Sequence, residues 1–74
     1  MSYNYSKLLG KITEVFGTQA RFSKALGLSE HTVSAKLNGK IDWKQREIVR
    51  CCSILGIGVN DIQAYFFSEK VQND

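Results

Sequence analysis

The stretch Thr18–Gly39, TQARFSKALGLSEHTVSAKLNG, reads as two short helices hinged on a glycine. Thr18 is a good N-cap for a helix over about Gln19 to Leu26, because its hydroxyl can accept a hydrogen bond from the first turn. Ala20, Phe22, Ala25 and Leu26 are its expected packing residues, with Ala20 and Phe22 on the inner face. Gly27 falls where the turn needs a positive φ, a conformation in which any Cβ is penalised. Leu28 then tethers the turn to the core, and Ser29 caps a second helix over about Glu30 to Leu37. Val33 and Leu37, at i and i+4, form the core face of that helix, and Asn38-Gly39 stops it.

The flanking sequence adds three more helices. Before the quoted stretch, Leu8, Leu9, Ile12, Val15 and Phe16 make one apolar stripe on a helix from about Tyr5 to Phe16, ended by Gly17. After it, Asp42 three residues before Gln45 resembles a capping box for a helix from about Trp43 to Leu55. Its buried stripe is expected at Ile48, Cys52 and Leu55, flanked by Val49 and Cys51. Gly56-Ile57 has the form of a Schellman stop, a glycine followed by an apolar residue. A short last helix, about Val59 to Phe66, offers Val59, Ile62, Tyr65 and Phe66 for packing. The tail Ser68–Asp74 is polar and expected to fray. Since no segment alternates with period 2, the fold expected is all-α, a compact five-helix unit spanning residues 1–74.

Composition narrows the function classes. A chain of 74 residues has room for one small core, and its 43% apolar content is too high for a disordered chain. The absence of proline also favours helices. The longest apolar cluster is far short of the ~20 residues of a membrane helix, and MSYNYSKLLG lacks the sections of a secretion signal. A cytoplasmic protein without a membrane partner is therefore expected. Cys51 and Cys52 are adjacent, so they close no useful disulfide loop, and with a single histidine they make no tetrahedral metal set. They read as small apolar helix residues, one buried and one half-exposed. One histidine, scattered carboxylates and no glycine-rich phosphate loop leave no constellation for catalysis, a cofactor or a small-molecule substrate. The net charge of +3 permits a nucleic-acid partner without requiring one.

Two helices joined by a tight glycine turn form a recurring DNA-reading unit. On these residues the chain resembles the phage repressor and Cro-type helix-turn-helix family, whose pattern is roughly T-Q-x-x-L/F-A/S-x-x-L-G-V/L-S-x-x-T-V/I-S-x-x-x-N-G. Ser34–Lys40, SAKLNGK, and Ile62–Val71, IQAYFFSEKV, are more similar still to a subgroup of small phage proteins labelled Cro-like. The resemblance covers almost the whole chain. It implies a phage-repressor-like fold of five helices, a phage or prophage origin, action in the bacterial cytoplasm and a role at the lysis–lysogeny switch.

With Val33 facing inward, a rotation of about 100° per residue points His31 and Ala35 away from the core, with Glu30 and Ser34 on the flanks. In a major groove, Glu30 can accept from cytosine N4, His31 can donate to guanine, Ser34 can bond base or phosphate, and Ala35 can touch a thymine methyl. The plainer roles are a carboxylate favoured by the helix N-terminus for Glu30 and a solvated side chain for His31. The resemblance makes Gln19 a phosphate clamp beside the amides of its helix, with Ser29, Asn38, Lys40 and Lys44 as further backbone contacts. Lys24 and Lys36 are additional surface cations on this reading. Tyr65, Phe66 and Phe67 cannot all face the core of one short helix, so surplus aromatic surface is expected there, as a protein interface or as partly exposed packing. Trp43 is expected to pack against the turn.

Two functions follow from different classes. The leading expectation is a Cro-like repressor that binds operator DNA through the helix at about 30–37, for which a homodimer would fit half-sites about 34 Å apart. The other is a modulator of repression, or antirepressor, that joins the phage lysogeny repressor and alters its hold on DNA. This second function is the alternative to the first, and a reading face without arginine or glutamine and a modest net charge are the features that speak for it.

Overall fold

Thr18 and Ser29 do at two helix starts what their positions predict. The Thr18 hydroxyl accepts from the Arg21 amide at 3.2 Å, and the Ser29 hydroxyl accepts from the Thr32 amide at 3.1 Å. The computed structural model describes residues 3–69 and places five α-helices among them. These are α1 (Ser6–Phe16), α2 (Gln19–Leu26), α3 (Glu30–Leu37), α4 (Gln45–Leu55) and α5 (Ile62–Phe66). A 3₁₀ turn, Val59–Asp61, leads into α5. Gly27 holds φ +86° between α2 and α3, and the Leu28 amide reaches back to the Ser23 carbonyl at 3.2 Å, closing the hinge of the helix-turn-helix. The Schellman stop expected at the end of α4 is present, with the Ile57 amide donating to the Cys52 carbonyl at 2.9 Å.

One hydrophobic core joins all five helices. Tyr5, Leu8 and Ile12 come from the α1 side, Phe22 and Leu26 from α2, Val33 and Leu37 from α3, and Ile48, Cys51 and Leu55 from α4, while Phe66 closes it from α5. Several expected core positions are displaced. Leu9 and Val15 are exposed, because the inward line of α1 runs through Tyr5, Leu8, Ile12 and Phe16. Ala20 is exposed and Ser23 is buried in its place, its hydroxyl donating to the Gln19 carbonyl at 2.8 Å, which satisfies a polar group that burial would otherwise penalise. On α4 the buried cysteine is Cys51 and Cys52 is half-buried, which turns Val49 outward to 62% exposure. Val59 is also exposed, since the chain there is a 3₁₀ turn and not the start of α5.

The largest departure is the start of α4. The helix begins at Gln45, two residues later than expected, because the capping carboxylate is Glu47, which accepts from the Lys44 amide at 2.8 Å. Asp42 therefore makes no box with Gln45. Trp43 is freed from the helix and plugs the core, edge-on to Phe66 at 5.6 Å and to Tyr5 at 6.5 Å. Beside it lies Lys36, which is not a surface cation. It is 2% exposed, with its ammonium 2.8 Å from a Glu47 carboxylate oxygen and 2.8 Å from the Asp42 carbonyl oxygen, and 5.8 Å from the Trp43 ring centroid. The Trp43 indole N–H has no hydrogen-bond partner among the described residues.

The tail is less simple than its polarity suggests. Ser68 and Glu69 lie beside the N-terminal segment, where the Ser68 carbonyl accepts from the Asn4 amide at 2.7 Å and Tyr3 and Glu69 form an isolated antiparallel bridge. Residues 70–74 of the expected fraying segment lie outside the described residues.

Burial by itself would raise the Glu47 carboxyl, but hydrogen bonds from Lys36 and the Lys44 amide, together with the charges of both lysines, outweigh it and hold the carboxyl below its ordinary value of 4.5. A group with a depressed folded-state pKa contributes stability that is present above its unfolded value and lost as pH falls through the folded one. Urea unfolding followed by circular dichroism should therefore show stability declining below about pH 4.5, and Glu47→Gln should flatten that decline. At neutral pH, Glu47→Ala strands the Lys36 charge in the core and should remove about 3 kcal/mol. Lys36→Met should lose less, about 1 kcal/mol, because it leaves behind only a carboxylate that keeps its amide donor. Equal losses from the two variants would contradict the inward placement of Lys36.

Candidate recognition surface

The site expected from the sequence is the outer face of α3 with its flanks. Glu30 and His31 are exposed in the first turn of this helix. Ser34 and Ala35 are half-buried one turn further on, and Ser34 is partly engaged, its hydroxyl 3.4 Å from the Asn38 side-chain amide. Ser29, Asn38, Lys40 and Lys44 are exposed around the helix ends. Gln19 opens α2 and is half-buried. Ser29 is committed to its cap, its hydroxyl accepting from the Thr32 amide and donating to the Thr32 hydroxyl at 2.8 Å. The α3 face therefore offers one carboxylate, one imidazole and little else that extends. The helix presents no cation there, since Lys36 turns inward with Val33 and Leu37.

That inward turn was legible in principle. Position 36 lies three residues after Val33 and next to Leu37, so helical spacing puts it on the buried side. A lysine there implies a partner carboxylate, and Glu47 is the capping residue of the helix packed alongside.

The aromatic triplet divides by depth. Phe66 is 1% exposed and belongs to the core, Tyr65 is half-buried under the Lys7 ammonium at 4.9 Å, and Phe67 is 44% exposed. Phe67 meets Tyr3 edge-on at 5.8 Å, so the aromatic surface available to a partner is a Tyr3–Phe67 pair and not the full triplet.

A second surface carries more charge than the α3 face and was not apparent from the sequence. Between the C-terminus of α2 and the start of α4 lies an open groove of about 540 Å³, floored by Leu26 and Leu28 and walled by Lys44, Arg46, Glu47 and Arg50. Arg50 spans it, with Nε donating to the Leu26 carbonyl at 3.1 Å and a terminal nitrogen donating to the Ala25 carbonyl at 3.3 Å. These bonds complete the end of α2 across a separation that no local sequence signal marks. Among the described residues the two ion pairs are Lys36–Glu47 and Lys11–Glu14, so Lys44 and Arg46 have no carboxylate within ion-pair distance there.

No group of three or more metal-ligating side chains occurs among the described residues, and no helix is long and apolar enough to cross a membrane. Burial, reinforced by the Cys52 thiol and the Glu47 carboxylate and partly offset by Lys36, pushes the Cys51 thiol up to about 12. Burial raises Cys52 as well.

The fold and this surface define an all-α, five-helix domain built around a helix-turn-helix. The chain belongs to the DUF739 family, described as a protein of unknown function, which matches residues 1–69. It is similar to a solved structure, the solution structure of the modulator of repression of the temperate bacteriophage TP901-1 from Lactococcus lactis. The identity is 56%, the match covers 97% of each chain, and the TM-score is 0.81. No curated protein matches the chain.

Alkylation of the native protein at mildly alkaline pH, followed by mass spectrometry, should label Cys52 slowly and leave Cys51 unmodified until the chain is unfolded. Labelling of Cys51 at the rate of Cys52 in the native state would contradict the register of α4.

Proposed function

We propose that this chain acts at a phage genetic switch, in the cytoplasm of the bacterial host, as a modulator of repression that binds the phage lysogeny repressor and alters its hold on DNA. The observation that carries this reading is the 56% identity, over 97% of both chains, to a phage modulator of repression. The composition of the α3 face supports it. A carboxylate at Glu30 is repelled by phosphates, Ala35 and Ser34 are half-buried, and the one lysine inside the helix is spent on Glu47. A helix of this kind suits contact with a protein surface, where an exposed acid and an imidazole can pair with complementary charge without a polyanion nearby. The exposed Tyr3–Phe67 pair is a further surface that a protein partner can cover.

Operator DNA binding in the Cro-like manner is the second reading. The helix-turn-helix geometry favours it, with Gln19 opening α2 and the Ser29-capped end of α3 presenting Glu30 and His31. On that reading Glu30, His31, Ser34 and Ala35 face bases, and Asn38, Lys40 and Lys44 meet phosphates.

Size-exclusion chromatography and a mobility-shift assay with the cognate repressor and operator separate the two. The purified chain alone should leave operator DNA unshifted at concentrations where it co-elutes with the repressor and changes the repressor's shift. A tight, salt-dependent operator shift by the chain alone, weakened by roughly 1–3 kcal/mol on His31→Ala, would instead establish direct reading. Absence of co-elution at micromolar concentration would remove the modulator reading.

A further inference from the structure

The groove between α2 and α4 combines features that the modulator reading does not use. Its floor is apolar, made of Leu26 and Leu28, and its rim is basic, made of Lys44, Arg46 and Arg50. Glu47 lines the same groove but is committed to Lys36 and to the Lys44 amide, so its charge is already matched. Arg50 is pre-positioned. Two of its five N–H donors hold the carbonyls of Ala25 and Leu26, which fixes the guanidinium plane and leaves the others for an incoming acceptor. Val49, three residues after Arg46 and so its neighbour on the helix surface, adjoins this rim on the Arg46 side and is 62% exposed. An exposed valine beside an arginine has no role in the core.

We propose that this groove and the adjoining face of α4 dock an acidic amphipathic segment of a partner protein, a helix carrying carboxylates beside leucine-like side chains. Charge complementarity specifies the occupant. The rim is cationic, and among the described residues neither Lys44 nor Arg46 has a carboxylate within ion-pair distance, so it calls for further carboxylates. The leucine floor and Val49 call for aliphatic side chains in the same segment. A nucleic-acid backbone satisfies only the first requirement, since its phosphates and sugars leave the leucine floor unfilled. A fixed guanidinium also suits a carboxylate, because its remaining donors lie in one plane and can be met without further ordering of the side chain. The inference rests on the modulator reading only in taking the partner to be a protein, and it assigns that contact to a surface separate from the α3 face.

The test uses the full chain, labelled with nitrogen-15, and three probes. The first is a short helical peptide with leucines on one face and glutamates beside them; the second is the same peptide with glutamine for glutamate; the third is a short DNA duplex. The glutamate peptide should shift the amides of Leu26, Leu28, Lys44, Arg46, Val49 and Arg50, and the glutamine peptide should bind at least about tenfold more weakly. Arg46→Glu and Val49→Asp, both at exposed positions, should each weaken the glutamate peptide by about tenfold while leaving the thermal midpoint unchanged. The proposal is overturned if the peptide shifts fall on α3 or nowhere. It is equally overturned if the duplex moves the groove amides in place of the peptide, or if rising protein concentration alone moves them, which would make a second copy the occupant. Repressor co-elution distinguishes this from failure of the broader reading. Co-elution unaffected by Arg46→Glu, with no peptide shifts, overturns the groove alone. Absence of co-elution by the unmodified chain, with the groove shifts intact, overturns only the role at the switch.

Discussion

The Lys36 ammonium lies in the core, 2.8 Å from the Glu47 carboxylate and 2.8 Å from the Asp42 carbonyl, and much of the arrangement of this protein follows from its needs. A cation taken out of water must find compensating charge and hydrogen bonds. Here one partner comes from the first turn of α4 and the other from the backbone just before it. Meeting both draws the connection after α3 back over the core, seats Trp43 between Tyr5 and Phe66, and leaves Lys44 as the residue that precedes α4. The same carboxylate caps that helix through the Lys44 amide, so one side chain sets both the tie between α3 and α4 and the place where α4 begins. Gly39, at φ +76°, lets the chain make the reversal.

This tie shapes what the surface can recognise. Drawing Lys36 inward removes a cation from the helix that a DNA-reading protein of this architecture would place in the major groove, and leaves Glu30 and His31 as its exposed polar groups. Basic character is instead concentrated at Lys44, Arg46 and Arg50, around a leucine-floored groove on the other side of the turn. Arg50 links the two halves of the fold, because its guanidinium terminates α2 while its helix packs behind it. Charge thus follows the packing of α2 against α4 more than the outer face of α3.

How far the sequence could be read varied with how local each determinant is. The caps at Thr18 and Ser29, the hinge at Gly27 and the stop at Gly56-Ile57 are where spacing put them, because each depends on bonds within a few residues. The start of α4 differs from the local pattern because two acids compete for the capping role. Asp42 matches the local pattern, but only Glu47 can reach both the Lys44 amide and a lysine from another helix. Inner faces were legible to within about one residue. Cys51 and Cys52, or Ala20 and Ser23, are close enough in angle that small rotations of a short helix decide between them. Those rotations are set by neighbouring helices. Ser23 can be buried because its hydroxyl finds the Gln19 carbonyl, a possibility that polarity by itself argued against.

The sequence by itself determined the all-α architecture, the helix-turn-helix at Thr18–Gly39 and the aromatic surplus near the C-terminus, because helical periodicity, caps and glycine stops act over single turns of chain. Only the tertiary structure decided that Lys36 faces inward, that Trp43 is a core plug outside α4, and that Lys44, Arg46 and Arg50 converge on Leu26 and Leu28. Each of these depends on groups brought together from different helices. Arg50 and the Ala25 carbonyl are 25 residues apart in the chain and 3.3 Å apart in space, and periodicity within one helix carries no information about such a pairing.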